Sequence, residues 1–219
     1  MIQDGNLLQM EMFRKLSSQV LIDLQDLEGD YRVFNLQIDK AQSVLSMLIA
    51  SIGFLGMFWM DRLLFINTPE LIGWMTLARG CYVVITALFI YLLGKTNKVR
   101  VFDRLIFGWL MITILFMLTF NFIRPVSYQS TVFDIIVIFA IYALSPLKLQ
   151  RNIFLVLGYS ICTLLINYFV MEGADPIAWK IAIAAQVTVH VLGLVSALQM
   201  QSYRRKSFKA YIEEKDAKE

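Results

Sequence analysis

Leu105–Ile123 reads LIFGWLMITILFMLTFNFI, without a single Asp, Glu, Lys or Arg. A helix rises ~1.5 Å per residue and the hydrocarbon core of a bilayer is ~30 Å thick, so roughly 20 apolar residues cross it. Ser43–Met60, Asn152–Met171 and Ile181–Tyr203 are equally free of charge. The whole chain of 219 residues is 58% hydrophobic and 17% charged, with a mean hydropathy of +0.63. A soluble domain carries about 45–50% apolar and about 25% charged residues. The composition excludes a cytosolic globular enzyme and predicts an all-α, polytopic membrane protein.

Six membrane helices are expected: Ser43–Met60, Leu71–Leu93, Leu105–Ile123, Thr131–Leu147, Asn152–Met171 and Ile177–Leu198. The fourth is the shortest and carries Asp134 near its start; the second carries Arg79, and Lys180 stands at the entrance of the sixth. The short connections set the orientation. Lys95, Lys98, Arg100 and Arg104 lie between the second and third spans, Lys148 and Arg151 between the fourth and fifth, and Arg204, Arg205 and Lys206 after the sixth. The other side mixes Arg62, Arg124 and Lys180 with Asp61, Glu70, Glu172 and Asp175. The Lys/Arg bias places both termini in the cytoplasm.

A net charge of +3 without a basic, aromatic-interleaved stripe gives no reason to expect a nucleic-acid partner. Cys81 and Cys162 both fall inside apolar spans, so neither a disulfide framework nor a CxxC metal site is available. Residues 1–42 are polar and lack the apolar run of a cleavable signal peptide.

Those 42 residues nevertheless have a pattern. Met10, Phe13, Val20, Leu24, Leu27, Tyr31, Phe34 and Ile38 follow alternating spacings of three and four, with Ser17 on one expected apolar site and Gly29 mid-run. This is an amphipathic helix or short coiled coil. Its phase continues through Ala41, Leu45 and Leu48, so one long helix is expected to enter the membrane. A membrane-surface helix is the alternative; Asp23, Asp26, Glu28 and Asp30 weigh against it, because such helices favour Lys and Arg. The apolar stripe is expected to be buried in a partner or against the exit helix. Residues 199–219 contain no Pro or Gly and read as the sixth helix running on into the cytoplasm, towards a domain expected downstream. The organisation is therefore a cytoplasmic helix over 1–42, a transmembrane domain over 43–198 and a signalling helix over 199–219.

No phosphate-binding glycine loop, Gly-x-Ser-x-Gly or His-Glu-x-x-His occurs, and His190 is the only histidine. No catalytic residue, metal site or cofactor is expected. Intramembrane polarity remains. Arg79 lies about 12 Å into its span and is costly there unless paired or wetted. Its acidic partners are Asp61 or Asp134, with Asn121, Arg124 and Tyr128 near the same outer mouth. The cluster either fixes helix packing or faces a ligand or proton. His190 shares a face with Ala182, Gln186, Gly193 and Ala197, which reads first as helix packing with hydrogen bonds across it. Gly53 and Gly56 are expected to allow close backbone approach.

These landmarks resemble the six-helix membrane sensor modules that precede bacterial diguanylate cyclases of the GGDEF type. Related modules precede class III adenylate or guanylate cyclases and some histidine kinases. The residues that carry the resemblance are Asp30-Tyr31-Arg32 through Phe34 to Asp39-Lys40-Ala41-Gln42, Asp61, Arg79, Phe102-Asp103-Arg104 and Arg124-Pro125. Asp134, Tyr142 to Pro146, Gly193 and Arg204-Arg205-Lys206-Ser207-Phe208 complete them. The resemblance implies a homodimeric receptor in the bacterial cytoplasmic membrane, whose pocket or surrounding lipid bilayer senses a small-molecule or membrane cue and adjusts cyclic-nucleotide synthesis. Arg204, Arg205, Phe208 and Ile212 would transmit the signal, the exit helices of two copies meeting beyond Tyr203. A small transporter or channel is the alternative, but Pro125, Pro146 and Pro176 lie near helix ends rather than breaking helices at mid-membrane, and no repeat relates the two halves. A scaffold subunit leaves the charge cluster unexplained.

Overall fold

The computed structural model describes residues 24–123, 128–170 and 176–218. Among them every regular element is helical. A single 3-10 turn, Gln25–Leu27, leads into α1 (Glu28–Leu64), followed by α2 (Pro69–Lys95), α3 (Val99–Ile123), α4 (Tyr128–Leu144), α5 (Leu149–Val170) and α6 (Pro176–Asp216). Pro69 and Pro176 open their helices at the first position, where a missing N–H costs nothing.

Five helices are long and apolar enough to cross a membrane: α1, α2, α3, α5 and α6. The exception is α4, whose 17 residues cover about 26 Å. It stops at Leu144, three residues earlier than expected, because Pro146 disfavours helical backbone at Ser145 and has no N–H to give. Four of the other sequence spans lie inside longer helices, and the fifth, Asn152–Met171, coincides with α5 as far as Val170, Met171 lying outside the described residues. The 37 residues of α1 run unbroken from the polar lead-in through the first span, and the 41 residues of α6 run unbroken through the exit. The expectations for Met10 to Val20, for Arg124 and for Glu172 and Asp175 lie outside the described residues.

Two three-helix groups make up the body. In the first α2 packs on α1 and α3; in the second α4 packs on both α5 and α6; α3 against α5 joins them. A continuous core runs through Met47, Phe54, Tyr82, Ile106, Ile138 and Tyr159. A second, small core joins Leu24, Tyr31 and Phe208, with Ile212 against it.

Leu24 and Tyr31 of the expected stripe are buried against Phe208 of the exit helix, but further along α1 the inward face differs from the stripe. Leu27, Phe34, Ile38, Leu45 and Leu48 are exposed, and the buried line is Tyr31, Asn35, Asp39, Ser43 and Met47. Asp39 turns towards its partners Arg204 and Arg32, while Asn35 donates to the Tyr31 carbonyl of its own helix. Gly53 and Gly56 do not serve close approach either: a Cβ on either one would meet nothing within 4 Å. Gly193 does, since a Cβ there would collide with Cδ2 of the Tyr142 ring and fall 2.9 Å from its Cγ.

Candidate functional site

Polar side chains gather at three levels. The first is built on Arg79, 2% exposed in the interior of α2. Its Nε donates to Oδ2 of Asp61 at 2.8 Å, its Nη2 donates to the same oxygen, and its Nη1 donates to the Phe54 carbonyl. The guanidinium also lies 4.6 Å from the ring centre of Phe120, a cation–π contact worth up to about 2 kcal/mol when desolvated. Phe54 stacks on Tyr82 at 4.1 Å between centroids. Of the two acids the sequence offers, Asp61 is thus the direct partner of Arg79. It is supplied by the last turn of α1, and the short connection to α2 brings both ends together.

Asp134, on α4, is 1% exposed. Asn121 Nδ2 donates to its Oδ1 at 2.8 Å, and the Tyr159 hydroxyl donates to the same oxygen. Phe120 and Asn121 are adjacent on α3, so one turn of that helix serves both acid sites. Nothing in the sequence marks Tyr159; a tyrosine in an apolar span gives no signal of its own. Nearby in sequence on α5, Thr163 and Asn167 are also buried. Arg124 and the Tyr128 side chain lie outside the described positions.

The second level is on α6. His190 Nδ1 lies 3.1 Å from the Tyr142 hydroxyl and its Nε2 lies 2.8 Å from Ser160 Oγ. The ring bridges α4 and α5, which is the packing role read from the sequence. Gln186, one turn away, is 3% exposed, and both ends of its amide lack hydrogen-bond partners among the described residues. A buried amide of this kind is rare enough to require an explanation.

The third level sits where α1 and α6 meet, towards the polar start of α1. Asp39, 1% exposed, accepts from Arg204 Nη1 at 2.7 Å and pairs with Arg32 Nη1 at 3.5 Å. Arg204 Nη2 also donates to Gln42 Oε1. Arg32 reaches Asp103 on α3 and the Pro146 carbonyl, the latter at 3.0 Å. Arg205 pairs with Glu28 at 3.0 Å and lies over the Tyr31 ring. Phe208 packs edge-on to Tyr31, and Phe34 lies against both Phe208 and Tyr211. Burial pushes the Asp39 carboxyl above its usual range despite the arginines beside it, and burial likewise raises the Tyr31 phenol.

Phe208 is 1% exposed in a single chain. Its side chain therefore faces α1 rather than the second copy of α6 that the resemblance implies there; Ile212 lies against the same small core. Arg32, Asp39 and Asp103 are landmarks of the resemblance to which the sequence assigns no role. Their sequence signal is a base and an acid seven residues apart on a helix about to enter apolar sequence.

No three His, Cys, Asp or Glu side chains among the described residues converge as metal ligands. Comparison with protein-family models, with curated proteins and with solved structures finds no match to this chain.

Proposed function

We propose that this chain is a membrane-embedded sensor module that regulates an attached cytoplasmic nucleotide cyclase, diguanylate or adenylate, and does so as a homodimer with both ends in the cytoplasm of a bacterial cell. One observation carries the reading. A single unbroken helix, α6, connects the buried polar interior at Gln186 and His190 to the junction with α1 at Arg204 and Phe208. A rigid helix passes on tilt or rotation that a flexible tether would dissipate. The cue would act on the buried polar groups: Arg79 and Asp61, or Asn121, Asp134 and Gln186. It can shift the α6 arrangement only by its differential affinity for two states, a tenfold preference being worth about 1.4 kcal/mol.

The dimer reading draws support from α1. Phe34, Ile38, Ala41, Leu45, Leu48, Ile52 and Leu55 follow strict spacings of four and three, and all are exposed. A heptad seam has this spacing. The Lys and Arg distribution orients the spans.

The test joins a cyclase catalytic domain after Glu219 and inserts one to four, or seven, residues after Lys209. Each residue turns the output by about 100°, and seven nearly restore phase. Activity should oscillate with insertion length. Indifference to length would reduce residues 199–219 to a tether and end the proposal.

A further inference from the structure

Between α1, α3 and α4 runs a groove of about 280 Å³. That is close to the lower end of small-molecule sites, roughly 300 to 1,000 Å³. It follows α1 from Ser43 to Met57, about 21 Å at 1.5 Å per residue. Its walls are almost wholly apolar, with Trp109, Met117 and Ile141 on the far sides. Three of the lining hydroxyls belong to Ser43 and Ser46 of α1 and to Ser145 beside Pro146; the fourth, Thr113 of α3, donates to the Trp109 carbonyl.

Two features distinguish this groove from loose helix packing. Ser43 is 3% exposed, yet its hydroxyl makes no hydrogen bond among the described residues, while Ser46 and Ser145 donate to Gln42 and Asn152. A buried hydroxyl left without a partner costs roughly 1–3 kcal/mol, so a ligand atom that bonds Ser43 recovers that cost. Gly53, towards the far half, is a glycine with no neighbour: a Cβ there would meet nothing within 4 Å. It keeps the floor clear without serving helix contact.

We propose that this groove binds a single-chain aliphatic amphiphile with an uncharged hydrogen-bonding head, the head at Ser43 and the chain extended past Gly53 towards Met57. A hydroxyl or carbonyl head fits, because Ser43 offers one donor and acceptor and the lining carries no charge. A second copy of the chain is not the occupant. The exposed stripe through Leu45, Leu48, Ile52 and Leu55 lies roughly 150° around α1 from the groove face at Ser46, Gly53 and Met57. A partner seated on the stripe leaves the groove facing lipid, with Ile49 and Ile136 at its open side. The site is independent of which output the chain drives. Its polar end touches the junction of α1 and α6, since Gln42 donates to the Leu144 carbonyl at 3.2 Å and accepts from Arg204.

The test uses the full chain in lipid nanodiscs and 1-hexadecanol carrying a mid-chain diazirine. Photolabelling is expected on α1 near Gly53 and on α4 between Ile136 and Ile141, displaced by excess hexadecanol but not by dioleoyl phosphatidylcholine. Gly53→Leu should lower labelling at least tenfold without lowering the melting temperature, and Ala140→Leu should do the same from the opposite wall. Gly56→Leu, equally free of neighbours but outside the lining, should leave labelling unchanged. Ser43→Ala should abolish the advantage of hexadecanol over hexadecane as competitor. Labelling that survives both filling variants overturns the proposal. So does equal competition by phosphatidylcholine, which makes the groove a seat for bulk lipid tails, or loss of the dimer in Gly53→Leu, which gives it to a second copy.

Discussion

Arg204 Nη1 donates to Asp39 Oδ1 at 2.7 Å across 165 positions of sequence, tying the first long helix to the last. Asp39 is almost wholly buried and Arg204 mostly so. Arg204→Ala and Asp39→Ala should each lower the melting temperature. Because both act on one contact, the double variant should lose less than their sum, with a coupling of about 0.5–3 kcal/mol. Additive losses in thermal unfolding would show that the two side chains act separately.

At the opposite level the penalty is larger, since Arg79 and Asp61 are 2% and 1% exposed. Removing one partner of such a pair costs roughly 3–5 kcal/mol, because the other charge stays buried. Arg79→Ala should therefore be less stable than the combined Arg79→Met, Asp61→Asn variant. Detergent-solubilised protein followed by intrinsic fluorescence on heating gives the ranking; the reverse order would remove the ion pair from the account of stability.

The raised Asp39 pKa has a definite sign. Folding favours the neutral acid, so the folded chain binds this proton more tightly than the unfolded one. Its contribution to stability is complete below the ordinary value of 3.8 and is lost as pH rises through the higher folded value. The melting temperature of the native chain, less that of Asp39→Asn, should fall as pH rises from about 3 through the weakly acidic range. A difference that rises over that window would mean that the arginines outweigh burial.

Gly193 and Gly53 should respond oppositely to alanine. At Gly193 the new methyl falls on the Tyr142 ring, and overpacking of this kind costs about 1–3 kcal/mol. At Gly53 it meets nothing, and alanine is the better helix former by ~1 kcal/mol. Thermal melts of the two single variants decide it; equal shifts would contradict the packing described at Tyr142.

How much of this is legible in the sequence depends on the signal each residue gives. The long helices are readable because charge is absent from Leu105–Ile123 and its counterparts. Asp61 is readable as a partner of Arg79 because so few charges interrupt apolar sequence. Tyr159 is not, because an aromatic hydroxyl in a span looks the same whether it faces lipid or Asp134. The inward face of α1 escapes for a different reason. Its periodic apolar residues look like the packing stripe, yet of those on α1 only Tyr31 is buried, while Asn35, Asp39 and Ser43 are buried with it. Where lipid covers apolar surface as readily as protein does, hydrophobic periodicity loses its power to say which side is in. The stripe offers the exit helix as one surface for Tyr31 to pack on, but that Phe208 is the residue it meets depends on how two distant helices cross.

The junction of α1 and α6 also imposes an order on synthesis. At about 5–20 residues per second, the ribosome needs roughly ten to thirty seconds to go from Asp39 to Arg204. Arg32 is made seven residues before Asp39 and lies 3.5 Å from it in the finished chain. Seven residues is about two helical turns, so the pair needs only α1 itself to form and can meet before any later helix is made. Asp103, which bonds Arg32 in the finished chain, follows on α3, and only the last helix delivers Arg204. The first helix thus holds a counter-charge of its own for an acid whose closer partner is made last.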